Sequence, residues 1–161
     1  MQALFLFLAL FLTGTARAQQ AQASDTASVD AIIGALYAVI SGPAGEDRDW
    51  DRFRSLFAQG ARLWPNATAA WDPETYITQA GPSLEGQGFH ERELHRLEER
   101  HGPLVHAWST YETVYEHYGA TERLRGVNSI QLFHDGARWW ILGIAWASET
   151  SEAPLPQRYL P

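Results

Sequence analysis

At Phe89 the apolar pattern of this chain changes from a helical period to an alternating one, and no other feature limits the possible folds as strongly. Before the switch, Val29, Ile32, Ile33, Leu36, Tyr37 and Ile40 fall on one helical face, and Ser41-Gly42-Pro43 supplies the stop. Asp49 is placed to cap a second, short helix carrying Trp50, Phe53, Leu56 and Phe57, which Gly60 ends. Arg62-Leu63-Trp64 reads as a short strand closed by Pro65-Asn66. Asp72-Pro73-Glu74, a cap followed by proline at the first helical position, opens a third helix to about Ala80, where Gly81, Pro82, Gly86 and Gly88 break it up. After the switch, four strands are expected at about 89–100, 104–116, 123–134 and 138–149. Helices followed by an antiparallel meander make an α+β domain, with N-terminal helices on one face of a strongly curved antiparallel sheet.

The first residues belong to a different problem. Ala3 to Leu12 is continuously apolar, far short of the ~20 residues that span a bilayer, and Ala16-Arg17-Ala18 has the small-x-small pattern of a signal cleavage site. The expectation is a signal peptide over 1–18, a flexible leader over 19–27 and one domain over 28–161, exported to the periplasm or secreted, with no membrane anchor once the signal is cleaved. The 12 basic residues are all arginine, cysteine is absent, and the net charge is −7. With no basic stripe, nucleic acid is not an expected partner. Without thiols, stability comes from packing rather than disulfides.

Facing pairs follow from the turns. A three-residue loop at His101-Gly102-Pro103 sets Glu91 opposite Thr113, Glu93 opposite Tyr111, His95 opposite Ser109 and Arg92 opposite Glu112. A two-residue loop at His101-Gly102 would set Glu91 against Glu112, and charge repulsion disfavours it. One face then carries Glu91, Glu93 and His95 together. Asp135-Gly136, read as a two-residue turn, sets Asn128 opposite Gly143, Ile130 opposite Ile141 and Leu132 opposite Trp139. Trp140, Leu142, Ile144 and Trp146 then share the other face, and a last strand apolar on both sides points to a homodimer through a sheet face.

Glu93 and His95 are the candidate acid–base pair, and Glu91, Glu93, His95, Tyr111, Asn128 and Trp64 are the candidate ligand-binding residues. A solvated strand edge is the competing account of the two glutamates and the histidine. Trp64, Trp139, Trp140 and Trp146 suit either a pocket wall for an apolar ligand or ordinary core packing. His90 and His95, an odd number of residues apart, point to opposite faces, so no metal site is expected. No phosphate loop, nucleophile elbow or serine triad is present, and no cofactor is implied.

Ala31-Ile32-Ile33-Gly34-Ala35-Leu36-Tyr37, Asp49 through Phe57 leading into Ala61-Arg62-Leu63, Gly126 through Leu132, and Gly136 through Ile141 together resemble the SnoaL-like proteins of the nuclear-transport-factor-two-like superfamily. The resemblance implies a cone-shaped, cystatin-like α+β barrel with a pocket between helices and bent sheet, and dimerisation through the outer sheet face. That superfamily spans isomerases, dehydratases, epoxide hydrolases and proteins that only bind, so membership does not name an activity. The leading expectation is an exported small-molecule-binding protein. The alternatives are a lyase, isomerase or hydrolase acting on a small apolar or aromatic substrate by general acid–base catalysis, and a non-catalytic structural or interaction module.

Overall fold

The computed structural model describes residues 23–161. The signal peptide and residues 19–22 of the leader lie outside them; residues 23–27, expected to be flexible, lie within, where Thr26 is buried and its carbonyl accepts from Trp139 N at 3.0 Å. Helix α1 (Val29–Ile40) starts where Ser28 Oγ accepts from the Ala31 amide at 3.0 Å and buries the apolar face read from its spacing. Helix α2 (Trp50–Leu56) is capped by Asp49, which accepts from Arg52 N. Strand β1 (Phe57–Asn66) follows with no intervening loop, so Phe57 belongs to a strand rather than to the helix expected there. A short strand β2 (Ala69–Trp71) folds back on β1.

Helix α3 (Pro73–Gly86) begins as its sequence indicates, with Asp72 accepting from Thr75 N. It does not stop at Ala80 but continues through Pro82. An internal proline removes one backbone bond and crowds the preceding turn, and tertiary contacts offset that cost here. Gly81 lies against the Trp50 ring, Glu85 accepts from Trp50 Nε1 at 2.8 Å and from Arg48 N, and Arg48 Nη2 donates to Leu84 O at 2.8 Å. The buried Arg48 guanidinium also donates to Ile40 O and Gly42 O. The carbonyl-rich ends of α1 and α3 thus converge on one cation, a favourable use of helix C-termini.

Four long strands complete the domain: β3 (His90–His101), β4 (Leu104–His117), β5 (Ala120–His134) and β6 (Trp139–Ser148). The six-stranded sheet runs β2-β1-β6-β5-β4-β3, antiparallel throughout except that β1 lies parallel to β6. Its inner face, with Val105, Ala107, Ile130, Leu132 and Ile141 fully buried, meets α1 and α2 in a single core. A turn of 3-10 helix (Gln157–Tyr159) lies on the outer face, where Tyr159 O accepts from Thr110 Oγ1 at 2.7 Å and its ring packs on Trp108.

Two bulges correct the expected register. Along β3, Glu91, Arg92 and Glu93 face Thr113, Glu112 and Tyr111 as the charge argument requires, and Arg92 reaches Glu112 at 3.0 Å. Between Glu93 and His95 the register slips by one, so His95 faces Thr110, Arg96 faces Ser109 and the loop at Gly102-Pro103 has two residues. Both loop lengths are therefore satisfied, one at each end of the strand. Along β6, His134 faces Trp139 and Leu132 faces Ile141, which leaves a four-residue loop closed by Asp135 Oδ1 on the amides of Ala137 and Arg138, with Gly136 at φ 101°. An extra residue at Leu142 then places Ile130 opposite Ile144 and Asn128 opposite Trp146. A bulge flips every side chain beyond it. Ile144 and Trp146 accordingly point inward, against the expectation that they share a face with Trp140 and Leu142.

Candidate functional site

A cavity of about 270 Å³ opens between the three helices and the inner face of the sheet. Its wall is mainly apolar: Leu36 and Ile40 of α1, Phe53 of α2, Leu63 of β1, Ala80 and Leu84 of α3, Leu124 of β5 and Ile144 of β6, with Phe89 just before β3. Aromatic rings of Tyr76 and Trp146 meet edge to face beside it, at 6.2 Å between centroids. Tyr76 also stacks on Phe53 at 5.1 Å. The polar groups on the wall are Glu91, Tyr76, Tyr111, Thr113, Asn128 and Ser148.

Glu91 sits where the end of α1 is stitched to the start of β3. Gly42 N donates to Phe89 O at 2.8 Å, and Ser41 Oγ accepts from Glu91 N at 2.9 Å while donating to Tyr37 O. Thr113, directly opposite on β4, donates to Glu91 Oε2 at 2.7 Å. Burial among apolar side chains pushes the Glu91 carboxyl up from 4.5 to about 7, against the opposing effect of hydrogen bonds from Thr113 and Asn128. A carboxyl poised there gains or loses its proton near neutral pH. The phenols of Tyr37, Tyr76 and Tyr111 are raised above the ordinary tyrosine value, chiefly by burial, and remain neutral hydroxyls.

Behind the cavity the polar groups form a chain. Asn128 Nδ2 donates to Tyr37 Oη at 3.0 Å, Tyr37 Oη and Ser109 Oγ are 2.6 Å apart, and Ser109 Oγ donates to Glu93 Oε1 at 2.5 Å. Glu93 in turn faces Arg96, which also binds Asp30 on α1 and Glu98. Glu91 and Glu93 thus share a sheet face but differ in surroundings: one lines the cavity, the other ends in a salt-bridged cluster.

Three of the sequence-derived ligand residues, Glu91, Tyr111 and Asn128, line the cavity together, and Glu93, His95 and Trp64 do not. The bulge after Glu93 turns His95 to the Thr110 side of the sheet, so the expected Glu93–His95 pair is not assembled. Trp64 is 41% exposed on the outer face, because its neighbour Leu63 takes the inward position beside Ile144. Trp139 packs in the core against His134, and Trp140 lies outside with its Nε1 on Asp135 Oδ2 at 2.6 Å. Trp146 is the one of the four candidate tryptophans that lines the cavity. Sequence reading missed Tyr37, taken only as a helix-face residue, and Tyr76. The available signal for Tyr37 was a hydroxyl on an otherwise aliphatic buried face, which needs a partner. Among the described residues, no group of three or more His, Cys, Asp or Glu is placed to hold a metal ion, and no helix is long and apolar enough to cross a membrane.

No protein-family model matches the sequence, and no curated protein matches it significantly. Solved structures do match its fold. A protein with a cystatin-like fold from Caulobacter vibrioides superposes with a TM-score of 0.62 at 11% identity, over 79% of this chain and 91% of that one. A hexachlorocyclohexane dehydrochlorinase, LinA-type3, from Novosphingobium barchaimii gives 0.62 at 10% identity, over 84% and 89%. An NTF2-like protein from Cytophaga hutchinsonii gives 0.54 at 8% identity, over 85% and 99%. At such identities the likeness concerns architecture alone. With its helices laid into one face of a bulged, six-stranded sheet, the chain has the nuclear-transport-factor-two-like, cystatin-like α+β fold.

Proposed function

We propose that this protein binds a small, mainly apolar molecule in the cavity and that Glu91 is the group that fixes its orientation. The observation that carries this reading is one carboxyl, raised to about 7 and held by Thr113, on a mainly apolar wall around a cavity of about 270 Å³. A filled structural core would not leave such a space. Native mass spectrometry of protein purified from its own cells should detect a retained small molecule, and Ala80→Trp, which fills the cavity, should abolish it. Equal retention by the filled variant would overturn the reading.

A catalytic version has support from the same carboxyl. A group that exchanges its proton near neutral pH suits general acid–base chemistry in a lyase, isomerase or hydrolase, and enzymes such as the dehydrochlorinase share the fold. That version centres on Glu91 rather than on Glu93 and His95.

We further propose export and self-association. The apolar run Ala3 to Leu12 and the Ala16-Arg17-Ala18 site support a periplasmic or secreted protein starting near Gln19, and amino-terminal sequencing that finds Met1 intact would refute it. Trp64, Trp108, Phe133 and Leu142 are each more than a third exposed on the outer sheet face, which supports a homodimer through that face.

A further inference from the structure

The charge balance of the cavity narrows the chemistry of its occupant. Among the described residues, Glu91 is the one acidic side chain on the wall, and no arginine or histidine lines it. The chain has no lysine to reach in from elsewhere. Several other shielded carboxylates are paired with arginine: Asp25 meets Arg52 at 2.7 Å, Glu93 meets Arg96 at 3.4 Å, and Glu149 meets Arg125 at 2.8 Å, while Glu85, away from the cavity, takes Trp50 Nε1 and the Arg48 amide. Glu112 holds both Arg92 and Arg123. Glu91 receives neutral donors instead, Thr113 and Asn128. The titratable groups around it are Tyr37 from α1, Tyr76 from α3 and Tyr111 from β4, all kept neutral by their raised values, and Glu93, two residues along β3, is held by Ser109 and Arg96. A buried carboxylate without a counter-ion is costly, and a cation brought by a ligand would remove that cost. The rings of Phe89, Tyr76, Tyr111 and Trp146 present π-systems to the same space, which also favour a cation.

We propose that the cavity takes a protonated amine carried on an apolar or aromatic body, with the ammonium against Glu91 and the body against Phe89, Tyr76 and Trp146. This inference rests on the small-molecule-binding reading above and names the ligand class. An anionic ligand is disfavoured where Glu91 is ionised, above about pH 7, since it would set two negative charges in an apolar space with no cation between them. A neutral alcohol could donate its hydroxyl to the Glu91 carboxylate but would leave that charge uncompensated above its pKa.

Three probes that share one bicyclic body and differ in charge decide the matter: 1-naphthylmethylamine, 1-naphthalenemethanol and 1-naphthoate, each measured by equilibrium dialysis against the full chain. At pH 8 the amine should bind on the order of tenfold more tightly than the alcohol, and the naphthoate should not bind detectably. Lowering the pH from 8 to 6 should weaken the amine selectively, because Glu91 becomes protonated, and leave the alcohol nearly unchanged. In Glu91→Gln the amine should lose its advantage while the alcohol still binds. Equal binding of amine and alcohol to the wild type would overturn the amine assignment and leave the binding reading standing, as would an amine preference that persists in Glu91→Gln. Failure of all three probes to bind would overturn both.

Discussion

Thr113 Oγ1 donates to Glu91 Oε2 at 2.7 Å across the β3–β4 pair, at a position where the two strands keep the register set by the Arg92–Glu112 ion pair. This hydrogen bond lowers the Glu91 pKa while burial raises it, and burial wins.

The first prediction follows from that balance. Because the folded-state value near 7 lies above the ordinary 4.5, the folded protein holds the Glu91 proton more firmly than the unfolded chain does between those values. The contribution of Glu91 to stability is fully present below about pH 4.5 and is lost as the pH rises through about 7, by up to about 3 kcal/mol. Urea denaturation of wild type and Glu91→Gln across this range should show the variant gaining relative stability as the pH rises. Parallel profiles would place Glu91 in contact with solvent.

The bulge at Leu142 separates two substitutions that a regular strand would treat alike. Ile144 is 5% exposed in the core, so Ile144→Arg should cost several kcal/mol, about 3 or more, by burying an unpaired charge. Leu142, 39% exposed, should accept arginine with little loss of stability, about 0.5 kcal/mol, while dissociating the proposed dimer. Thermal denaturation and sedimentation of the two variants test this. A folded, monomeric Ile144→Arg protein would contradict the bulged register.

Arg48 ties the ends of α1 and α3 through Ile40 O, Gly42 O and Leu84 O. Arg48→Met should strand these carbonyls and destabilise the domain by roughly 2–4 kcal/mol. Hydrogen exchange should speed up most at the amides near Gly42 and Leu84. Uniform acceleration over the whole domain would assign Arg48 no local role.

Gly126 gives way to the Tyr111 ring across the β4–β5 pair: a Cβ there would collide with Tyr111 Oη and with Ala147 O. Gly126→Ala should therefore displace Tyr111 from the cavity wall at a cost of about 1–3 kcal/mol. The urea midpoint reports the cost. An unchanged midpoint would show that Tyr111 has room to move.

By itself the sequence determined the fold class, because period and caps are local: the α1 face from Val29 to Ile40, the caps at Asp49 and Asp72, and the alternating strands after Phe89 all occur where their spacing puts them. It also placed Glu91, Tyr111 and Asn128 on the inner face, since the register of Glu91 with Thr113 depends on an ion pair visible in the residue types. Only the tertiary structure decided where that register slips. A bulge changes the facing of every later residue at little local cost, and it is selected by how the strand must bend over the helices. For that reason His95 left the site and Ile144 and Trp146 entered the interior, while Glu93, before the bulge, is engaged by Ser109 and Arg96 and leaves Glu91 as the carboxyl facing the cavity. The passage of α3 through Pro82 has the same origin, in contacts from Trp50, Glu85 and Arg48 that no local propensity contains.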